Sequence, residues 1–340
     1  MSVSQTTISR QVGVSRSAVS HVLNGRGHMV SEETRRKIIE AVEAGGYHRN
    51  ALVRALRANR THVVGIIVPG AGFSFFNEII RAAEYEASGH GLQCFLCQSH
   101  NRPGDLVKEV AALREYRVDG ILIAPSSSSE TPEVFESLLS QKFPFVLIDV
   151  PVDGVNASFV GNDNVQAGLL ATEHLIELGH KRIAFINGYP GNPASGERFK
   201  GYSRALSKAG IPVKDELIVG GGFEFEHGRE SVRHLLDSRT PFTGLVASSD
   251  ISALGAMQEL GRSGIAVPEK ISIVGCGNLD VSSMATPSMT TVDQKPLELG
   301  KRAMKLLISL IEGEVETSKK VIVKPRLLER ESCASPRAGA

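Results

Sequence analysis

The residues Gly13-Val14-Ser15-Arg16-Ser17-Ala18-Val19-Ser20-His21-Val22-Leu23-Asn24 decide how this chain is read. Thr6–Val12 before them support a short helix, and Gly13 can adopt the backbone turn that joins two helices steeply. Ser15 is placed to cap the next helix, Arg16–Leu23, in which Val19, Val22 and Leu23 form an apolar stripe at helical spacing. The other face presents Arg16, Ser17 and His21, short or cationic groups able to hydrogen-bond base edges in a DNA major groove. Asn24-Gly25 ends that helix. Ser31 caps a third, with Glu32 and Glu33 at its positive end and Ile38, Ile39 and Val42 behind.

Charge distribution points the same way. The 340 residues carry a net charge of only +1, but residues 1–62 hold ten basic side chains against four acids, a local +6. The remaining body is therefore mildly acidic, at −5. A small basic head on an acidic body suggests that the head alone meets a polyanion. A solvated basic helix gives the same count, so the charge supports the turn chemistry without replacing it.

The stretch Gly13–Asn24 resembles the helix-turn-helix signature of the lactose-repressor family of bacterial transcription regulators. Gly46-Tyr47-His48-Arg49-Asn50 followed by Val53-Arg54-Ala55-Leu56 is similar to that family's linker, and the resemblance extends through residue 332. It implies DNA contacts from Ser15, Arg16, Ser17, Ser20, His21, Asn24, Tyr47, Asn50 and Arg54. It also implies a hinge helix at Asn50–Ala58, with paired Leu56 side chains wedged into the minor groove of double-stranded operator DNA. Such a helix is too short to be stable alone and would fold when two copies meet over DNA. Thr7 stands where the family usually has Asp, Ala18 where Thr is common, His21 where Arg reads DNA, and Arg49 where Pro is frequent. These departures fall at positions that bear on which operator sequence is read.

From residue 63 onward, apolar runs alternate with amphipathic helical stretches. Strands are expected at Val63–Pro69, Leu92–Gln98, Gly120–Pro125 and Phe143–Val150, then at Arg182–Asn187, Glu216–Gly220, Gly244–Ala247 and Ile271–Gly275. Helices such as Asn77–Gly89, Asp105–Tyr116 and Ala167–Leu178 show the 3.6-residue period. Strand–helix alternation implies parallel sheets covered on both faces, and two series imply two lobes. The expected fold is therefore an all-α helix-turn-helix head plus an α/β two-lobe body with parallel sheets, periplasmic-binding-protein-like by the family resemblance. The expected divisions are a head at 1–48, a hinge and linker at 49–62, a core at 63–333 and a disordered tail at 334–340. Lobe 1 takes about 63–161 and 292–322 and lobe 2 about 162–291 and 323–333, with chain crossings near 161, 291 and 322.

Ligands of open parallel sheets bind beyond the carboxyl ends of the strands. Asp149, Asp250, Arg198 and Gln294 all lie just past strands or at a crossing, and their carboxylates and guanidinium suit polyhydroxy or carboxylate ligands. By resemblance, Arg198 and Gln294 match effector-contact positions, Phe223 matches a ring that stacks on the ligand, and Asp149 aligns with another contact. Phe75 is a candidate apolar wall. Asp250 has a second reading as the N-cap of the helix that follows it, and Arg198 a second reading as a surface ion pair. Gly277 stands where the family commonly has an Asp that grips a ligand hydroxyl or amine. Its lack of a side chain disfavours a neutral sugar held at that point and raises the standing of a sugar acid, a phosphate ester or another small metabolite.

Cys94-Phe95-Leu96-Cys97 spells C-x-x-C, but it lies in an apolar run read as a buried strand, where positions three apart face opposite sides. No second Cys/His pair stands at zinc spacing. The chain lacks H-E-x-x-H, G-x-S-x-G and P-loop motifs, so no catalytic residues, metal or cofactor are expected and the protein is read as no enzyme. No apolar run reaches the roughly 18 residues of a membrane span, and Met1–Gln11 lacks a signal peptide's apolar stretch. A cytoplasmic homodimer without membrane contact is expected, its partners operator DNA and a small-molecule effector. The alternative is a cytoplasmic solute receptor without sequence-specific DNA function.

Overall fold

The computed structural model describes residues 4–23, 26–46, 60–70, 74–100, 102, 104–128, 131–315 and 318–336. The chain forms two compact units, Met1–Thr61 and His62–Ala340. Asn24, Tyr47, Asn50, Arg54, Leu56 and the whole expected hinge helix lie outside the described residues.

Among the described residues, the first unit contains three α-helices, α1 (Gln5–Val12), α2 (Arg16–Leu23) and α3 (Glu32–Ala44). Gly13 adopts φ +72° and its N–H closes the last turn of α1 onto the Ser9 carbonyl, a left-handed conformation that costs glycine nothing. Ile8, Val19 and Ile38, one from each helix, are fully buried against one another, with Ala41 beside them. Thr7 has a local role: its hydroxyl sits 3.0 Å from that of Ser4, and the two residues cap each other's backbone N–H groups at the start of α1.

The second unit holds two six-stranded sheets. Lobe 1 is built from β1 (Val63–Val68), α4 (Ser74–Gly89), β2 (Gln93–Gln98), α5 (Asp105–Glu115), β3 (Gly120–Ile123), α6 (Pro132–Ser140), β4 (Phe145–Ile148) and β5 (Phe159–Asn162). Lobe 2 follows with α7 (Asn164–Glu177), β6 (Ile183–Asn187), α8 (Pro193–Lys208), β7 (Ile218–Gly220), α9 (Phe225–Asp237), β8 (Gly244–Ala247), α10 (Asp250–Arg262), β9 (Ser272–Gly277), α11 (Asp280–Met284) and β10 (Thr290–Asp293). The chain then returns to lobe 1 as α12 (Pro296–Ile311) and β11 (Lys320–Val323), and ends in lobe 2 as β12 (Arg326–Leu328). The strand orders are β11-β5-β4-β3-β1-β2 and β12-β10-β9-β8-β6-β7. All pairings are parallel except β10 with β12. Each sheet has an apolar core on both faces, which is why its strands read as nearly continuous hydrophobic runs.

The first chain crossing lies at Asp163, the second at Gln294–Lys295 and the third at Lys324–Pro325, each two to four residues beyond the expected point. The difference arises because β5, β10, β11 and β12 are three or four residues long and lack a run of alternation that sequence could reveal. The run around Cys94-Phe95-Leu96-Cys97 also differs from expectation. It forms β2 at the sheet edge, with Phe95 42% and Leu96 47% exposed, while half-buried Cys94 and Cys97 pack into opposite face clusters. Its apolar composition does not mean burial on both faces.

The expectation of a disordered tail from residue 334 does not hold at Ala334. Ala334 is held by hydrogen bonds of its N–H to Ser272 Oγ (3.0 Å) and of its carbonyl to His180 Nε2 (3.0 Å). His180 also meets Thr243 through Nδ1 at 2.9 Å, and burial lowers its affinity for a proton. Residues 337–340 lie outside the described residues.

Helices α7 and α8 approach so closely that their contact admits only hydrogen at two points. A Cβ on Gly168 would stand 2.0 Å from the Arg198 carbonyl oxygen, and one on Gly201 2.1 Å from that of Val165. This approach fixes α8, and with it Arg198, against the start of α7. Gly201→Ala is expected to destabilise the body by about 1–3 kcal/mol in urea unfolding, because backbone must move to accept the methyl. A gain in stability, as helix propensity alone would give, would contradict the close approach.

Candidate functional site

Between the lobes lies a cavity of about 360 Å³, lined from the carboxyl ends of strands in both sheets. Lobe 1 contributes Pro69 after β1, Phe75 and Phe76 from α4, Ser126 and Ser127 after β3, and Asp149 after β4. Lobe 2 contributes Tyr189 and Asn192 after β6, Arg198 from α8, Phe223 after β7, Ser249 after β8 and Cys276 with Gly277 at the end of β9. Gln294 enters from the second crossing. Five sequence candidates, Phe75, Asp149, Arg198, Phe223 and Gln294, therefore share one wall system.

Arg198 is only 6% exposed, so its charge requires internal partners. Its Nε donates to Asn164 Oδ1 at 3.0 Å and its Nη1 to the Ser248 carbonyl at 2.6 Å. The guanidinium carbon lies 5.8 Å from the centre of the Phe223 ring, within cation–π range. The surface-ion-pair reading of Arg198 is thereby excluded: its fixed partners are an amide and a carbonyl in the interior.

Asp149 follows β4 with φ +69°, its backbone N–H bonded to the Val160 carbonyl at 3.0 Å. Its Oδ1 is buried with no hydrogen-bond partner. Burial pushes its pKa above the ordinary carboxylate range, while Arg198 pulls in the opposite direction. The wall thus offers a donor fork and an acid that lacks a donor, beside aromatic surface. Tyr189, which sequence reasoning did not single out, packs edge-on to Phe223 at 5.7 Å and donates its hydroxyl to Glu224 at 2.5 Å. Glu224 also accepts the Phe223 N–H at 3.1 Å, so one carboxylate orients both rings. Tyr189 lies in the Gly/Pro-rich stretch between β6 and α8, Gly188–Asn192, the only sequence signal it carried.

Asp250 does not line the cavity. It is fully buried behind Gly277, where Thr291 Oγ1 donates to Oδ1 at 2.5 Å and the Leu279 N–H to Oδ2 at 2.8 Å. Nor is it the helix cap: Ser249 is, its Oγ accepting the Ser252 N–H at 3.0 Å, and Asp250 is the first residue of α10. A Cβ on Gly277 would come within 3.3 Å of Asp250 Oδ2. The carboxylate near position 277 therefore organises the β9 loop and is unavailable to a ligand.

In the head, Ser15 caps α2 by accepting the Ala18 N–H at 3.1 Å, and its hydroxyl meets that of Ser17 at 2.8 Å. Ser15, Arg16 and Ser17 are exposed, while Ser20 and His21 are half-buried on the same short helix. Val19 turns the opposite way into the core.

Residues 6–50 match the bacterial regulatory proteins of the lacI family, and residues 172–333 match a periplasmic binding protein-like domain. The HTH-type transcriptional repressor PurR of Mannheimia succiniciproducens is 31% identical over 326 residues, 96% of this chain and 97% of that protein. A solved complex of the transcriptional regulator CelR with cellobiose is 30% identical, with a TM-score of 0.74 over 97% of this chain and 99% of that one. The lac repressor dimer bound to operator and an anti-inducer shares the fold, with a TM-score of 0.89 at 23% identity over 98% of this chain and 100% of that one. Among the described residues, no helix is long and apolar enough to cross a membrane.

Burial pushes the Asp250 pKa up to about 6. The folded protein therefore keeps this proton through a window, about pH 4 to 6, in which the unfolded chain has lost it. The associated stability is fully present below about pH 4 and is lost as pH rises through 6, a change of about 3 kcal/mol. Urea unfolding of wild type and Asp250→Asn should show their stability difference moving against wild type by about 2 kcal/mol of this between pH 4.5 and 7. A difference independent of pH would show that the carboxylate is charged throughout.

Proposed function

The chain belongs to the lacI family of bacterial regulatory proteins, a DNA-binding transcriptional repressor with a ligand-binding domain and not an enzyme, and from this premise we propose how it is controlled. It binds a pseudo-palindromic operator as a homodimer. Each subunit sets α2 into the major groove of one half-site, with Arg16, Ser17, Ser20 and His21 towards base edges and Ser15 at the helix start. Asn24, Tyr47, Asn50 and Arg54 extend the contact, and Leu56 enters the minor groove. The interlobe cavity holds a small effector whose unequal affinity for two lobe arrangements sets operator affinity.

The observation that carries this reading is the convergence of Arg198, Asp149 and Gln294 with the Phe75 and Phe223 rings on one cavity between the lobes. Its chemistry suits a small metabolite with one flat or apolar face for the rings. Its opposite edge carries an acceptor for Arg198 and a donor for Asp149. With no carboxylate at Gly277 facing the ligand, this polar edge is read by Asp149 from lobe 1 and Arg198 from lobe 2. The match of residues 6–50 to the lacI-family regulators supports the DNA-binding reading over the solute-receptor alternative.

For the dimer, the exposed edge strand β2 is the favoured contact. Phe95 packs edge-on to Tyr116 at 5.8 Å, Tyr116 is 69% exposed, and an apolar sheet edge left open invites pairing with another chain. Selection of genomic fragments by the full-length protein should enrich a palindromic site whose affinity falls steeply with salt. Weak binding indifferent to sequence would overturn the operator reading. Leu96→Asp should convert the dimer to monomer in sedimentation and weaken the selected duplex at least about tenfold, since one half-site contact is lost. An unchanged dimer would place the interface elsewhere.

A further inference from the structure

Asn164 has no counterpart among the candidates read from sequence, yet it receives two of the cavity's polar side chains on one atom. Its Oδ1 accepts Arg198 Nε at 3.0 Å and Gln294 Nε2 at 3.2 Å. All three residues are buried, Asn164 and Gln294 each 2% exposed. Asn164 begins α7 directly after the first chain crossing, and Gln294 lies on the second. One amide oxygen therefore joins two of the three connections between the lobes to the guanidinium on the cavity wall. The Arg198 contact also fixes which way the amide faces, because only the carbonyl oxygen can accept from a guanidinium.

The first crossing carries a second unusual feature. Asn162, which ends β5, is 5% exposed, and neither its Oδ1 nor its Nδ2 has a hydrogen-bond partner. Asp163, between the two asparagines, donates its N–H to the Val323 carbonyl of the strand entering the third crossing, at 3.2 Å. Asp293, preceding Gln294, accepts from Arg326 Nε at 3.1 Å just beyond that third crossing. The crossings thus carry several polar contacts, with one amide held by two donors and another held by none. Buried polar groups are ordinarily satisfied, so a lobe arrangement that gives Asn162 a partner competes with the one seen.

The geometry points to Asn164 as the positioning residue that couples the cavity to the hinge: a ligand acceptor drawing Arg198 or Gln294 towards itself alters a bond that spans two lobe crossings. This inference rests on the cavity being the control site and names the residue through which control passes. The route is physical and local, a shared acceptor with two donors, and it predicts energetic coupling between Arg198 and the second crossing even in the absence of any effector.

Amide hydrogen exchange of the full-length protein tests it, followed in the peptide spanning residues 290–296. Arg198→Ala should speed exchange there by roughly tenfold, the upper range for one buried hydrogen bond. The same change made on an Asn164→Ala background should add nothing further. Asn164→Asp keeps the acceptor and should exchange like wild type. Should Arg198→Ala fail to fold, Arg198→Lys, which lacks the Nε donor, takes its place. Additive effects of the two changes would overturn the inference. So would an Asp variant as fast as the Ala variant, or an acceleration spread equally through β1 and β6. None of these measurements uses operator or effector. Their failure leaves the regulator reading intact, whereas failure of the wild-type chain to select a duplex would sink that reading alone.

Discussion

Arg198 holds a charge almost wholly out of water, and the architecture around it follows from keeping that guanidinium hydrogen-bonded. Its Nε needs an acceptor, which Asn164 supplies from the start of α7. Its Nη1 needs another, which the Ser248 carbonyl supplies at the end of β8. The Asn164 acceptor comes within reach because α8 lies against α7 with glycine at the two closest points. Breaking one partner of a buried charge costs far more than the pair contributes, so these elements are held in register by the charge they surround. The same residue faces the cavity, and this makes a structural necessity into a means of recognition.

The acids near the cavity show how environment divides similar groups between tasks. Asp149 and Asp250 both follow strands, and burial raises the pKa of each. Asp250 has its oxygens occupied by Thr291 and the Leu279 N–H, so it holds the β9 loop. Asp149 keeps one buried oxygen without a partner at the cavity wall, so it is the acid a ligand donor would meet. Sequence position alone could not separate them, because each stands just beyond a strand. Hydrogen bonds from residues tens of positions away decide the matter.

Much of the fold was legible beforehand because it rests on local signals. Gly13, Ser15 and the Val19-Val22-Leu23 stripe announce the head, and long apolar runs announce the main strands of both sheets. The short strands at the crossings were not legible, since three or four residues cannot display a period. The exposure of β2 was also hidden: Phe95 and Leu96 read as core, and only the strand order puts them on an edge. In the cavity, Arg198, Gln294, Phe223 and Asp149 came from resemblance to a family, with Phe75 as a wall. Asn164 gave no signal, because its role exists only when Gln294, 130 positions away, reaches its oxygen.

The central claim is that a small molecule meeting Arg198 between the lobes controls the grip of the head on DNA. It is tested most directly by measuring affinity for the selected duplex in the presence of fractionated small-molecule extract, with wild type and Arg198→Ala side by side. The account predicts at least one fraction that changes the affinity of wild type and leaves that of Arg198→Ala unaltered. Fractions that act equally on both proteins, or none that act on wild type, would contradict it.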